Sequence, residues 1–214
     1  MKGMKQSSWK LRLEYGNHAL EQVEENPFVQ FSNWFDEALT CEVMEPNGMT
    51  LSTVSPLGHP SSRTVLFKGV DRGGFLFFTG YASRKAEQMD VNSSVALTFW
   101  WKEIFRQVNI EGRVEKVSRS ISRTYFASRP KGAQIATTVF AQSTPIVTRE
   151  ELTDMFGALK KQYAKKTVPC PMNWGGYRVI PHRFEFWQGR ENRLHDRFLY
   201  AKINDHWVQS RLSP

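Results

Sequence analysis

Phe28, Phe31, Trp34, Phe35 and Leu39 recur at intervals of three and four, which predicts a helix over residues 27–45 with an aromatic stripe turned to a core. Asn26-Pro27 supplies its start, since proline fits the first helical position. From Met49 the period changes to two. Met49–Val54, Arg63–Lys68, Phe75–Thr79, Val95–Trp101 and Phe105–Val117 read as strands, separated by turns such as Ser55–Pro60 and Asp71–Gly74. Successive strands joined by short turns pair antiparallel. Ser83 stands where it can cap a short helix from Arg84 to Val91, Ser118 a second up to Ser128, and Thr148 with Glu151 forms a capping box for a helix to about Lys165. Three more strands are predicted at about Tyr177–Trp187, Arg193–Lys202 and Trp207–Leu212.

Many strands, few helices, no β-α-β alternation and no Gly-x-Gly-x-x-Gly motif exclude a dinucleotide-binding unit and leave an antiparallel barrel as the economical solution. No repeat or low-complexity segment interrupts it. The 214 residues, 40% hydrophobic and 23% charged, suit an ordinary globular chain, and 13% aromatics supply flat side chains for a core or a ring-shaped ligand. The basic start lacks an apolar run and no stretch of 18 apolar residues occurs, so a cytoplasmic protein without a membrane span is expected. Cys41 and Cys170 are too far apart for a metal motif; free thiols and no metal site are expected. The net charge of +8 raises nucleic acid as a partner, but the cations are scattered among acids with no run of five, which argues against it.

Small anions account for the cations as well. If residues 193–198 are extended, Arg193, His195 and Arg197 share one face and Leu194, Asp196 and Phe198 the other. Like charges along one face suit an anionic ligand, or else a solvated face with Asp196 as local partner. Thr79, Ser83, Arg84 and Lys85 gather at a helix start whose free N–H groups favour an anion, with Arg63 on a nearby strand. Arg63 and Lys68, five apart, face opposite ways on an unbroken strand and should not share one group unless a bulge intervenes.

Trp187-Gln-Gly, Arg193-Leu-His-Asp-Arg and Arg211-Leu-Ser-Pro214 resemble the C-terminal signature of the pyridoxine (pyridoxamine) 5′-phosphate oxidases. The resemblance continues through Arg12-Leu-Glu-Tyr15, Arg63-Thr-Val-Leu-Phe-Lys68, Ser83-Arg-Lys85, Arg106-Gln107, Tyr125-Phe-Ala-Ser-Arg-Pro130, Gln142-Ser143 and Trp174-Gly-Gly-Tyr-Arg178, in the family's order. It implies an FMN-binding split barrel, mainly β with flanking helices, working as a homodimer with flavin at the subunit interface. Residues 27–214 would form this single domain and residues 1–26 a partly mobile segment closing over the site. By the resemblance Arg63, Lys68, Phe78, Thr79, Ser83, Arg84, Lys85, Gln107, Gln142, Ser143, Trp187 and Arg197 bind FMN. Lys68, Tyr125 and Arg129 hold the substrate phosphate, Arg193 and His195 act on the substrate ring as the catalytic pair, and Arg12 and Tyr15 cover it.

The implied activity is oxidation of pyridoxine or pyridoxamine 5′-phosphate to pyridoxal 5′-phosphate by O2, with release of hydrogen peroxide. Three departures stand out. Ala133 occupies the position of a phosphate-binding serine, which would sit one helical turn beyond Arg129 if the helix runs on past Pro130. Phe78 replaces a usual tyrosine, and Thr137-Thr138 replaces a segment that often carries tryptophan. Ala133 keeps open an FMN oxidase acting on another aromatic intermediate of phenazine type. A non-catalytic protein that binds flavin or pyridoxal phosphate is the other alternative.

Overall fold

Asn26 opens the first helix, its side-chain oxygen accepting from the Phe28 N–H at 2.9 Å, with Pro27 in the first turn. In this computed structural model, which describes Tyr15 and residues 19–139, 142–146 and 148–214, α1 is Pro27–Thr40. It stops five residues short of the expected 45, with Cys41 as its exposed C-cap. The stripe is also narrower than expected. Phe31 and Trp34 are buried, but Leu39 is 53% exposed because at 100° per residue it lies about 140° round from Trp34.

The strands are β1 (Gly48–Val54), β2 (Pro60–Leu66), β3 (Val70–Asp71), β4 (Gly74–Gly80), β5 (Ser94–Trp101), β6 (Arg106–Lys116), β7 (Trp174–Gln188), β8 (Asp196–Ile203) and β9 (His206–Leu212). The helices after α1 are α2 (Arg84–Val91), α3 (Arg119–Ser128), α4 (Lys131–Val139) and α5 (Arg149–Gln162). Sheet order is β2-β1-β5-β6-β7-β4-β3, with β8 on β7 and β9 on β8. The pairs β1–β2, β1–β5, β3–β4, β4–β7, β7–β8 and β8–β9 are antiparallel. Period-two burial is plain in β1, where Met49, Leu51 and Thr53 are buried. In β6 the buried side alternates through Val108 and Ile110 to Gly112, whose missing Cβ would lie 2.4 Å from the Ile180 carbonyl oxygen.

Several boundaries differ from the sequence reading. Phe105 is not in a strand but ends a short turn with φ +54°, and β6 begins after it. β2 closes at Leu66, so Lys68 lies outside it, its N–H donating to the Leu76 carbonyl at 2.8 Å. Glu191–Arg193 forms a turn of 3-10 helix with Asn192 and Arg193 at φ +54° and +62°, and β8 starts only at Asp196. Arg193 and His195 therefore do not alternate with Arg197 along a strand. α3 stops at Ser128; Arg129 is extended (φ −72°, ψ 150°), as the residue before a proline must be, and Pro130 leads into α4.

The caps follow the chemistry expected of them at two helices. Ser118 accepts from the Ile121 N–H and Thr148 from the Glu151 N–H. Ser83 precedes α2 but makes no cap bond, because its hydroxyl donates to the Gly80 carbonyl instead.

The chain divides into two compact units. One comprises the described residues up to Pro46 with Phe99–Asn109 and Arg183–Pro214, the other Asn47–Thr98 with Ile110–His182. The core of the first is aromatic: Phe31 meets Phe99 at 5.0 Å and Trp34 meets Phe186 at 5.3 Å between ring centroids. Each such buried ring contributes about 1.5–3 kcal/mol. The second has a strand core around Leu51, Phe75, Phe77 and Leu97, and a smaller cluster of Phe126, Ile135, Val168 and Trp174 with Phe156 and Leu159 against it. Among the described residues no helix is long and apolar enough to cross a membrane.

Candidate anion cavity and aromatic cluster

The second unit contains a cavity of about 1000 Å³ whose lining includes Arg63, Lys68, Arg84, Lys85 and Arg129 and, among the described residues, no carboxylate. At one end β2 carries Arg63 opposite Leu51 of β1. Arg63 Nη1 donates to the Leu51 carbonyl at 2.9 Å and to Thr53 Oγ1 at 2.7 Å, and Nη2 to Ser61 Oγ at 2.8 Å. Lys85, in the first turn of α2, donates to Thr79 Oγ1 (3.1 Å), Ser83 Oγ (3.2 Å) and Gln142 Oε1 (3.1 Å). All its partners are neutral. Burial, and then the charge of Arg63, lower its pKa to about 8. Burial and Arg84 lower that of Arg63. Gln142 Oε1 also accepts from Thr79 Oγ1 at 2.8 Å, and Ser143 Oγ accepts from the Arg84 N–H at 3.4 Å.

The other end collects Lys68, Tyr125 and Arg129. Tyr125 stacks on Phe78 with centroids 4.0 Å apart, and Phe78 on Trp174 at 5.6 Å. Phe78 thus contributes its ring. Gly176 makes room for it, since a Cβ there would lie 2.7 Å from the Phe78 ring. Lys68 Nζ lies 5.8 Å from the Tyr125 centroid, and the Arg129 guanidinium 5.0 Å from that of Trp174. Arg129 Nη1 donates to Thr137 Oγ1 at 2.7 Å, whose hydroxyl donates to the Ala133 carbonyl at 2.9 Å. Burial lowers the Arg129 pKa, with Tyr125 and Cys170 opposing.

Arg63 and Lys68 line one cavity, β2 having ended between them. Tyr125 lies on α3 and Arg129 just past its end, and both line the cavity, as does Ala133. Trp174, Thr137 and Gln88, which supports Arg63, had no assigned role in the sequence. Only the proximity of Thr137 to Arg129 hinted at one.

The first unit holds another group. Trp187 of β7 stands opposite Arg197 of β8, and its ring lies 4.7 Å from that of His195. Tyr15 packs edge-on to Trp187 (5.7 Å), His195 (5.6 Å) and Phe105 (5.0 Å). His195 Nδ1 accepts from the Arg190 N–H at 3.0 Å, which leaves the neutral ring's proton on Nε2. Burial and then Arg193 lower its pKa, Asp196 opposing. Asp196 does not partner Arg193 or Arg197: it is buried with Arg190 (3.3 Å) and Arg211 (2.7 Å). Arg197 Nε donates to Glu185 Oε1 at 2.9 Å. Arg193 is exposed, and Gln107 lies half-buried in β6, outside the lining of the cavity. Arg12 lies outside the described residues.

Residues 35–163 match the family model of pyridoxamine 5′-phosphate oxidase and residues 174–214 that of the pyridoxine 5′-phosphate oxidase C-terminal dimerisation region. A pyridoxine/pyridoxamine 5′-phosphate oxidase from Nostoc sp. is 49% identical over 207 residues, spanning 95% of this chain and 97% of that protein. Among solved structures, PhzG from Burkholderia lata in complex with tetrahydrophenazine-1-carboxylic acid superimposes with a TM-score of 0.85 at 27% identity, covering 89% of this chain and 94% of that one. A pyridoxamine 5′-phosphate oxidase-related, FMN binding protein from Nostoc punctiforme gives a TM-score of 0.72 at 16% identity over 86% and 97% of the two chains. The fold is that of these proteins, mainly antiparallel β-sheet with flanking helices, of the FMN-binding split-barrel type.

Proposed function

Because the chain belongs to the pyridoxine/pyridoxamine 5′-phosphate oxidase family, we propose that its cavity holds two phosphorylated molecules, FMN and a pyridoxine or pyridoxamine 5′-phosphate that is oxidised to pyridoxal 5′-phosphate. The observation that carries this reading is the cavity lining: among the described residues five cations, no carboxylate, and two separate groups of donors. A charge such as that of Lys85, surrounded by neutral oxygens, is stabilised by a dianion and costs stability without one.

In this proposal Arg63, Arg84 and Lys85 hold the flavin phosphate with Thr79, Ser83, Gln142 and Ser143 around them. When bound, FMN supplies the two-electron redox chemistry, with O2 as final acceptor and hydrogen peroxide as by-product. Lys68, Tyr125 and Arg129 anchor the substrate phosphate, the flat stack of Phe78, Tyr125 and Trp174 supporting that anchor. Arg193 and His195 orient the substrate ring. A neutral His195 with its proton on Nε2 donates a hydrogen bond there. Gln107, Trp187 and Arg197 serve the flavin, Arg197 with its charge shared by Glu185.

Tyr15, packed on Trp187 and His195, helps to exclude water from the substrate ring. Residues 27–214 form the barrel domain. The match of residues 174–214 to a dimerisation region supports a homodimer, and the proposal puts the flavin at its interface; a monomer in sedimentation equilibrium would overturn that part.

A phenazine-type substrate is the second reading. It is favoured by Ala133, which lacks a hydroxyl for phosphate, and by the likeness to PhzG. Mixing the FMN-loaded protein anaerobically with pyridoxine 5′-phosphate separates these. Rapid loss of flavin absorbance is expected. Unchanged absorbance means either a binder or another substrate.

A further inference from the structure

We propose that Gln88 is a positioning residue for the anion end of the cavity, holding Arg63 in place through a neutral oxygen and so leaving its charge for a phosphate. The inference rests on the reading that Arg63, Arg84 and Lys85 receive the flavin phosphate. Gln88 lies on α2 and is only 4% exposed, and Thr53, which touches it, is fully buried. Three groups converge on its Oε1: Thr53 Oγ1 at 2.5 Å, Ser61 Oγ at 2.9 Å and Arg63 Nη2 at 3.5 Å.

Arg63 fixes the direction of this network. A guanidinium can only donate, so the Gln88 atom facing it is the oxygen and not the amide nitrogen. Thr53 and Ser61 accept from Arg63 Nη1 and Nη2, so their own protons are free to go to Gln88. Both hydroxyl protons and the Nη protons of Arg63 then have acceptors.

The same oxygen ties β2, which carries Arg63, to α2, which carries Arg84 and Lys85, and this sets the spacing of the three cations. A glutamate would reach the same donors. It would also place a negative charge beside Arg63 and cancel much of what draws a dianion. An amide orients the cation without that cost.

Equilibrium binding of FMN and of riboflavin, which lacks the phosphate, followed by quenching of flavin fluorescence, tests this. The wild-type protein should bind FMN far more tightly than riboflavin. Gln88→Glu should weaken FMN at least tenfold and leave riboflavin within twofold. Gln88→Met, which keeps the length and loses the acceptor, should weaken FMN several-fold with riboflavin again unchanged, and it serves if the glutamate variant does not fold. Unchanged FMN affinity in the folded variants overturns the role of Gln88, as does equal weakening of both ligands, which would mark general damage to the fold. Equal affinity of the wild-type protein for FMN and riboflavin would instead overturn the underlying reading of the phosphate end.

Discussion

Lys85 has a pKa of about 8 because it is buried against another cation, so its charge is lost within the ordinary range of buffers. A bound phosphate dianion restores the proton. FMN should therefore bind most tightly between about pH 6, where the second ionisation of its phosphate is complete enough, and about pH 8. Above that, the free protein must take up a proton to bind, and affinity falls by up to about tenfold per pH unit until the pKa of the complex is reached. Lys85→Arg, which does not titrate, should flatten the upper limb. Fluorescence titrations across this range check both, and an affinity that is constant from pH 7 to pH 9.5 in the wild type would sink the assignment. Lys85 and its neighbours were legible as cations near a helix start. Their neutral oxygen cage was not, because Gln142 comes from a segment 57 residues away.

The elements whose causes are local were the easiest to foresee. Caps at Ser118 and Thr148 depend on a side chain three residues from its partner, and strands such as β1 and β5 on a period that the sequence displays directly. The misreadings fall where a turn breaks a period. Nothing in the order Arg193-Leu-His says that Arg193 takes a left-handed conformation, and nothing in Arg63–Lys68 says that the strand stops at Leu66. At Pro130 the break could be read, and it bears on Ala133. α4 is a new helix, so the one-turn spacing from Arg129 is void, but Ala133 still lines the cavity. Ala133→Ser should therefore lower KM for pyridoxine 5′-phosphate by a few-fold, about 0.5–1 kcal/mol, and leave FMN affinity unchanged. Steady-state kinetics would show an unchanged or higher KM if the serine hydroxyl turns back to its own helix, as that of Thr137 does toward the Ala133 carbonyl.

At the scale of the whole chain, antiparallel β architecture followed from strands joined by short turns, and the sheet has it. The division into two units did not follow, since each gathers segments from distant parts of the sequence. Composition gave a charge of +8 without saying where it would matter. Among the described residues five cations face one cavity with no acid among them, and this makes the ligand-free protein a partly self-repelling body. Its anions then act as folding partners. At a hundredfold excess over Kd, FMN should add about 2.7 kcal/mol of stability. For a chain of this size that raises the melting temperature by roughly 5–11 °C, while riboflavin at the same concentration, a smaller multiple of its own Kd, should raise it less. Calorimetry reads the first effect and limited proteolysis the second consequence: the ligand-free chain should be digested first. In a cell this would couple the protein's half-life to its flavin supply, so that newly made chains persist in proportion to the cofactor available to fill them.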